Sequence, residues 1–154
     1  MVHYEGIFFE EENAKLISAL DKENLPVIND ELHCTFKVKP TEEELFDTIV
    51  GKEVEIELVG YGNNGENSGF EIRFPVKYAH YYINYDEERP NKLKVPHITA
   101  SIAKGAKAYK TKDLDFQPLE KPIKVTGKFG YWIKEDDGTE HLSYLPYIKN
   151  KQEK

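Results

Sequence analysis

Residues 54–74 constrain the fold of this chain more than any other stretch. Val54, Ile56 and Leu58 alternate with Glu55 and Glu57, a glycine- and asparagine-rich run occupies 60–69, and Phe70, Ile72 and Phe74 then alternate again. Period-two alternation on both sides of turn-forming residues is the pattern of an antiparallel hairpin with one buried face. The run 60–69 reads as its long loop. The same signal recurs along the chain. Residues 4–9 are β-prone, 31–38 form a short strand stopped by Pro40, and 95–102 form another. Residues 78–85 are a β-prone aromatic segment, and 86–91 are a charged loop with a turn signal at Pro90-Asn91. Residues 123–133 predict a long strand, bulged near Gly127 or Gly130, that turns at Asp137-Gly138 into a last strand over 141–145.

Helical signals are few. Leu16, Ile17 and Leu20 follow an acidic first turn and predict helix 1. Thr41-Glu42-Glu43-Glu44 has the spacing of a capping box ahead of Leu45, Phe46 and Ile49 and predicts helix 2. Residues 103–112 read as a loop with one helical turn. Strands and short helices interleave without a βαβ rhythm, so the expected class is α+β with mainly antiparallel sheets. One domain is expected over 1–148, with a frayed tail at 149–154.

With 154 residues and 39% apolar content, the chain can bury a core, and no apolar run reaches the roughly 18 residues of a membrane span. The N-terminus lacks the basic-then-apolar order of a signal peptide. The single cysteine, Cys34, rules out an internal disulfide. A cytoplasmic protein, expected to be monomeric and without a membrane partner, follows. The formal net charge of −7 argues against coating long duplex nucleic acid, while a small anion can still meet a local basic patch.

Gly60-Tyr61-Gly62-Asn63-Asn64-Gly65 spells a dinucleotide-binding fingerprint, but alternation follows it where that motif needs a helix N-terminus. A hairpin loop is the better reading. No P-loop, His-Glu-x-x-His, cysteine pair or Gly-x-Ser-x-Gly is present. What stands out is a repeat: Leu32-His33-Cys34-Thr35-Phe36 and Pro96-His97-Ile98-Thr99-Ala100, each inside an expected strand. On a strand, His33 and Thr35 share one face and Cys34 and Phe36 the other; His97/Thr99 and Ile98/Ala100 repeat the arrangement. Imidazole exchanges a proton near neutral pH and a threonine hydroxyl donates to a phosphoryl oxygen. Two such pairs facing one phosphate supply a base, an acid and two clamps, without metal or cofactor. His3, His80 and His141 have no comparable partner.

The paired His-x-Thr-x motifs resemble those of the 2H phosphoesterase superfamily. The order of 96–103, 109–114, 123–125 and 130–132, with the opening strand 4–9, is similar to the branch containing myelin 2′,3′-cyclic nucleotide 3′-phosphodiesterase and tRNA-ligase phosphodiesterase domains. Residues 51–94 show no match. The resemblance implies a bilobal fold with the two motif strands side by side in a central cleft. It also implies a metal-independent phosphodiesterase acting on a small nucleotide or an RNA end. His97 would activate water and His33 protonate the departing oxygen, or the reverse, with Thr35 and Thr99 holding the phosphoryl oxygens. Opening of a 2′,3′-cyclic phosphate, cleavage of cyclic or 2′-5′ linked signalling nucleotides, and phosphate binding without turnover all stay open. Lys37, Lys39, Lys104, Lys107, Lys110 and Lys112 flank the motifs, with Lys104 the expected substrate contact. Tyr4, Tyr131 and Trp132 are the rings expected to stack on a base.

Overall fold

The computed structural model describes residues 1–22, 25–28, 32–82, 85–86, 89–93 and 95–147. Its spine is one strand too long to stay flat. In chain order the elements are β1 (Val2–Phe8), α1 (Glu11–Ala19), β2 (Val27–Ile28), β3 (His33–Val38), β4 (Glu53–Asn63), β5 (Asn67–Arg73), a 3₁₀ helix Val76–Tyr81, β6 (Tyr85–Asp86) and β7 (Arg89–Leu93). Then come β8 (His97–Ile102), a second 3₁₀ helix Ala108–Asp113, the spine β9 (Gln117–Lys134) and β10 (Glu140–Ser143). β9 pairs through its first part with β4 and through its last part with β1 and β10. It is thereby shared by two halves of one eight-stranded sheet, ordered β2-β8-β5-β4-β9-β1-β3 with β10 on β9. Strands β6 and β7 form a separate pair where sequence suggested a loop.

Every pairing in the large sheet is antiparallel. Six antiparallel steps separate β2 from β3, so these two run the same way, and β8 runs against both. Although β3 and β8 stand near opposite ends of the order, they come within 8 Å Cα to Cα. The sheet therefore curls into a nearly closed barrel with a seam between the two motif strands. No described helix is long and apolar enough to cross a membrane.

The inner face is filled by side chains such as Ile7, Cys34, Phe36, Ile56, Ile98 and Phe129, each essentially inaccessible. Phe46 and Ile49, from the segment expected as helix 2, join them. That segment is a set of turns instead. Half of the capping box forms: the Thr41 N–H donates to Glu44 Oε1 at 3.0 Å, while the Glu44 and Leu45 N–H groups donate to the Thr41 backbone carbonyl rather than to its side chain. One nucleated turn is not a helix, however, because propagation must outcompete tertiary packing. Here Phe46 turns inward, stacks on Tyr131 at 5.3 Å and meets Phe129 and Phe36 edge-on. Residues 41–52 thus plug the barrel.

Two further expectations are corrected by packing. The segment 78–85 is 3₁₀-helical through Tyr81, not a strand, and residues 83 and 84 lie outside the described residues. Residues i and i+3 eclipse in such a helix. Tyr78 and Tyr81 accordingly share an edge, reaching Phe129 at 4.8 Å and Phe46 at 6.1 Å. The loop at 60–69 shrinks to 64–66, because β4 and β5 run on through the glycines. Gly69 is required where the chain crowds: a Cβ there would lie 2.4 Å from the Ile98 carbonyl and 2.6 Å from Thr111 Cγ2. The expected tail 149–154 lies outside the described residues.

Candidate active site at the barrel seam

His33 opens β3 and Thr35 follows two positions on, both half-buried on the outer face, while Cys34 and Phe36 are sealed in the core. Period two explains the split. His33 pairs in register with Phe8 of β1. Its ring stacks on Tyr4 at 4.8 Å and on Phe8 at 5.5 Å. Trp132, on the outer face of β9, lies nearly parallel to Tyr4 at 6.1 Å and to Phe8 at 6.5 Å. Its indole N–H donates to Glu140. Tyr4, Phe8, His33 and Trp132 thus form one aromatic platform whose neighbouring planes tilt by at most 29° among the named pairs. Phe8 was missed from sequence, although its spacing from Tyr4 on one strand already puts the two on one face.

His97 opens β8, with Thr99 beside it on the outer face and Ile98 and Ala100 in the core. The His97 Nδ1 lies 2.8 Å from the Val95 carbonyl oxygen. A carbonyl only accepts, so Nδ1 carries a proton and, in the neutral ring, Nε2 is the acceptor. Thr99 is covered by the second 3₁₀ helix. Its hydroxyl donates to Thr111 Oγ1 at 2.9 Å and lies 3.4 Å from the Ala108 carbonyl. Thr111 is fully buried and also accepts from Asn67 Nδ2 at 3.0 Å, while Asn67 donates to the Lys107 carbonyl at 2.9 Å. Asn67 and Thr111 give no sequence signal, because a helical turn read from 103–112 says nothing about which side chain meets β8.

The remaining candidates separate. Tyr131 faces the core, is fully buried, and donates its hydroxyl to Asp47. Burial and that carboxylate push its phenol well above the usual tyrosine range. No exposed ring face is left on which a base could stack. Lys104 is exposed in the turn after β8. It therefore lies beyond the end of the six-residue strand that His97 begins, about 17 Å along. A shallow depression of about 90 Å³ shares Phe8 with the platform, but its other walls, Asn13 and Lys128 among them, belong to α1, β4 and β9 and their flanks and to neither motif.

Both His-Thr pairs thus occupy the outer face of strands that flank the seam, one beside an aromatic platform and one beside a 3₁₀ helix. No protein-family profile matches the chain, and no curated protein matches it in sequence.

Proposed function

We propose that this chain is a metal-independent phosphodiesterase of the 2H type, opening a 2′,3′-cyclic phosphate on a nucleotide or RNA end. The observation carrying this reading is that His33/Thr35 and His97/Thr99 lie on one face of two strands that meet across the seam. In the two-lobed version of the fold, the lobes correspond to the sheet halves on either side of the spine, and the cleft to the seam.

The tautomer of His97 favours it as the base. With Nδ1–H held by the Val95 carbonyl, Nε2 takes the proton from water as its oxygen attacks phosphorus. The bond from phosphorus to one ribose oxygen breaks, and His33, held in plane by Tyr4 and Phe8, returns a proton to that oxygen. Thr35 and Thr99 donate to the phosphoryl oxygens, where charge grows in the transition state. For Thr99 this requires its hydroxyl to swing from Thr111 toward the substrate. The platform of Tyr4 and Trp132 receives a base by stacking, which every base tolerates.

The testing experiment offers the purified protein 2′,3′-cyclic, 3′,5′-cyclic, 2′-5′ linked and cyclic-oligonucleotide substrates, with and without EDTA, and identifies products. Hydrolysis of the 2′,3′-cyclic phosphate in EDTA is expected. Selective cleavage of a cyclic or 2′-5′ linked signalling nucleotide would replace the substrate and keep the mechanism, while binding without turnover would make the chain a phosphate-recognition module.

A further inference from the structure

We propose that the lysine ridge carried by residues 104–112 binds the phosphodiester backbone of a single-stranded oligonucleotide, so that the seam receives a strand end rather than a free mononucleotide. That a strand end reacts at the seam rests on the phosphodiesterase reading; the binding surface does not.

Residues 103–112 contain Lys104, Lys107, Lys110 and Lys112 and no acid, in a chain where Asp and Glu number 28 of 154 residues. A random ten-residue window would carry about two acids, so the window is locally cationic in an anionic protein. The 3₁₀ geometry orders these charges. Three residues per turn divide the helix into edges. On one edge the buried Thr111 faces β8 and holds Thr99, which also nears the backbone carbonyl of the exposed Ala108. A second begins with Lys107 and Lys110, both exposed, and ends at Asp113; the third is Tyr109 and Lys112. Tyr109 is 59% exposed, and the Lys112 ammonium sits over its ring at 6.0 Å.

Three cations elsewhere in the chain are matched by carboxylates. Lys37 pairs with Glu44, Arg73 with Glu57 and Lys124 with Glu55. Lys104, Lys107 and Lys110 have no carboxylate partner among the described residues. An exposed aromatic ring interleaved with unmatched lysines is what a single strand requires, because phosphates meet the ammonium groups while a splayed base stacks on the ring. Thr111 fixes this ridge to Thr99, which ties the cationic track to the strand that carries His97. A mononucleotide, with one phosphate already at the seam, leaves the ridge without a ligand.

The test uses the full chain and a fluorescent single-stranded RNA of about ten nucleotides ending in a 3′-hydroxyl, which leaves no cyclic phosphate to hydrolyse. Anisotropy across a salt series gives the affinity and its slope. Each lysine that neutralises a phosphate contributes about −0.7 to the slope of log K against log salt for a single strand. The triple variant Lys104→Gln, Lys107→Gln, Lys110→Gln should therefore lower that slope by about 2 and weaken binding at low salt. Its thermal midpoint should be unchanged, since all three side chains are exposed. Equal affinity and slope in wild type and variant, absent salt-dependent binding in wild type, or equal binding of a duplex would overturn the inference. Turnover by wild type of the same RNA ending in a 2′,3′-cyclic phosphate is measured in parallel. Lysine-dependent RNA binding without such turnover overturns the phosphodiesterase reading alone, and turnover without lysine-dependent binding overturns this inference alone.

Discussion

Glu5 Oε1 accepts the backbone N–H of Phe46 at 3.2 Å, while the other oxygen of the same fully buried carboxyl has no hydrogen-bond partner among the described residues. One carboxyl thereby joins β1 to the plug. Burial pushes its pKa up to about 8, against the pull of the Phe46 N–H and Lys37 and with the help of Glu44 and Asp47. Below 4.5 both folded and unfolded chains carry the proton, and the group costs nothing. As pH rises from 4.5 towards 8, the unfolded chain ionises first and stability is lost, up to about 5 kcal/mol once the folded carboxyl also ionises. Thermal midpoints of wild type should therefore fall more steeply over this window than those of Glu5→Gln. Parallel pH curves would show that Glu5 does not set the slope.

Asp21 makes a second buried join. It accepts the Tyr61 hydroxyl and the Ser101 hydroxyl, each at 2.6 Å, while Ser68 lies 2.7 Å from Ser101. The end of α1 is thus tied to β4, β5 and β8. Asp21→Ala removes one acceptor and leaves buried donors without partners, a loss of about 3 kcal/mol. Chemical denaturation should read that loss, and a change below about 0.5 kcal/mol would mean that water replaces the carboxylate without penalty.

Crowding at Gly69 predicts a third effect. A methyl group there meets a backbone oxygen, which cannot swing aside as a flexible side chain does. Gly69→Ala should destabilise by about 1–3 kcal/mol through overpacking. Because the same contact seats Thr111, turnover should fall more than the loss of folded protein explains. A variant as stable and active as wild type would mean that the 3₁₀ helix adjusts freely.

What the sequence made legible was local. Alternation in Val54-Glu55-Ile56-Glu57-Leu58 and the Asp137-Gly138 turn fixed strands and a hairpin, because side-chain period and positive φ at Gly138 are properties of neighbours in the chain. The two His-Thr faces were legible for the same reason. Closure of the sheet was not, since it depends on six pairings and on a register shift between β4 and β9 that no window contains. Helix 2 failed because its capping signal is real but local, whereas the burial of Phe46 against Tyr131 is decided from β9. Tyr131 and Trp132 are adjacent in sequence and equivalent in composition. Only the side of β9 that faces the core distinguishes the buried ring from the platform ring.

The central claim is tested most directly by turnover of His33→Ala, His97→Ala and the double variant on the 2′,3′-cyclic substrate, with folding followed by thermal midpoint. General acid-base roles contribute about 10²- to 10⁴-fold each, so each single variant should lose turnover by that order, with the double variant hardly worse than the poorer single. His97→Ala should keep its midpoint. His33→Ala should lose a few degrees, because Tyr4 and Phe8 lose a stacking partner. Wild-type turnover by either folded single variant would contradict the two-histidine mechanism.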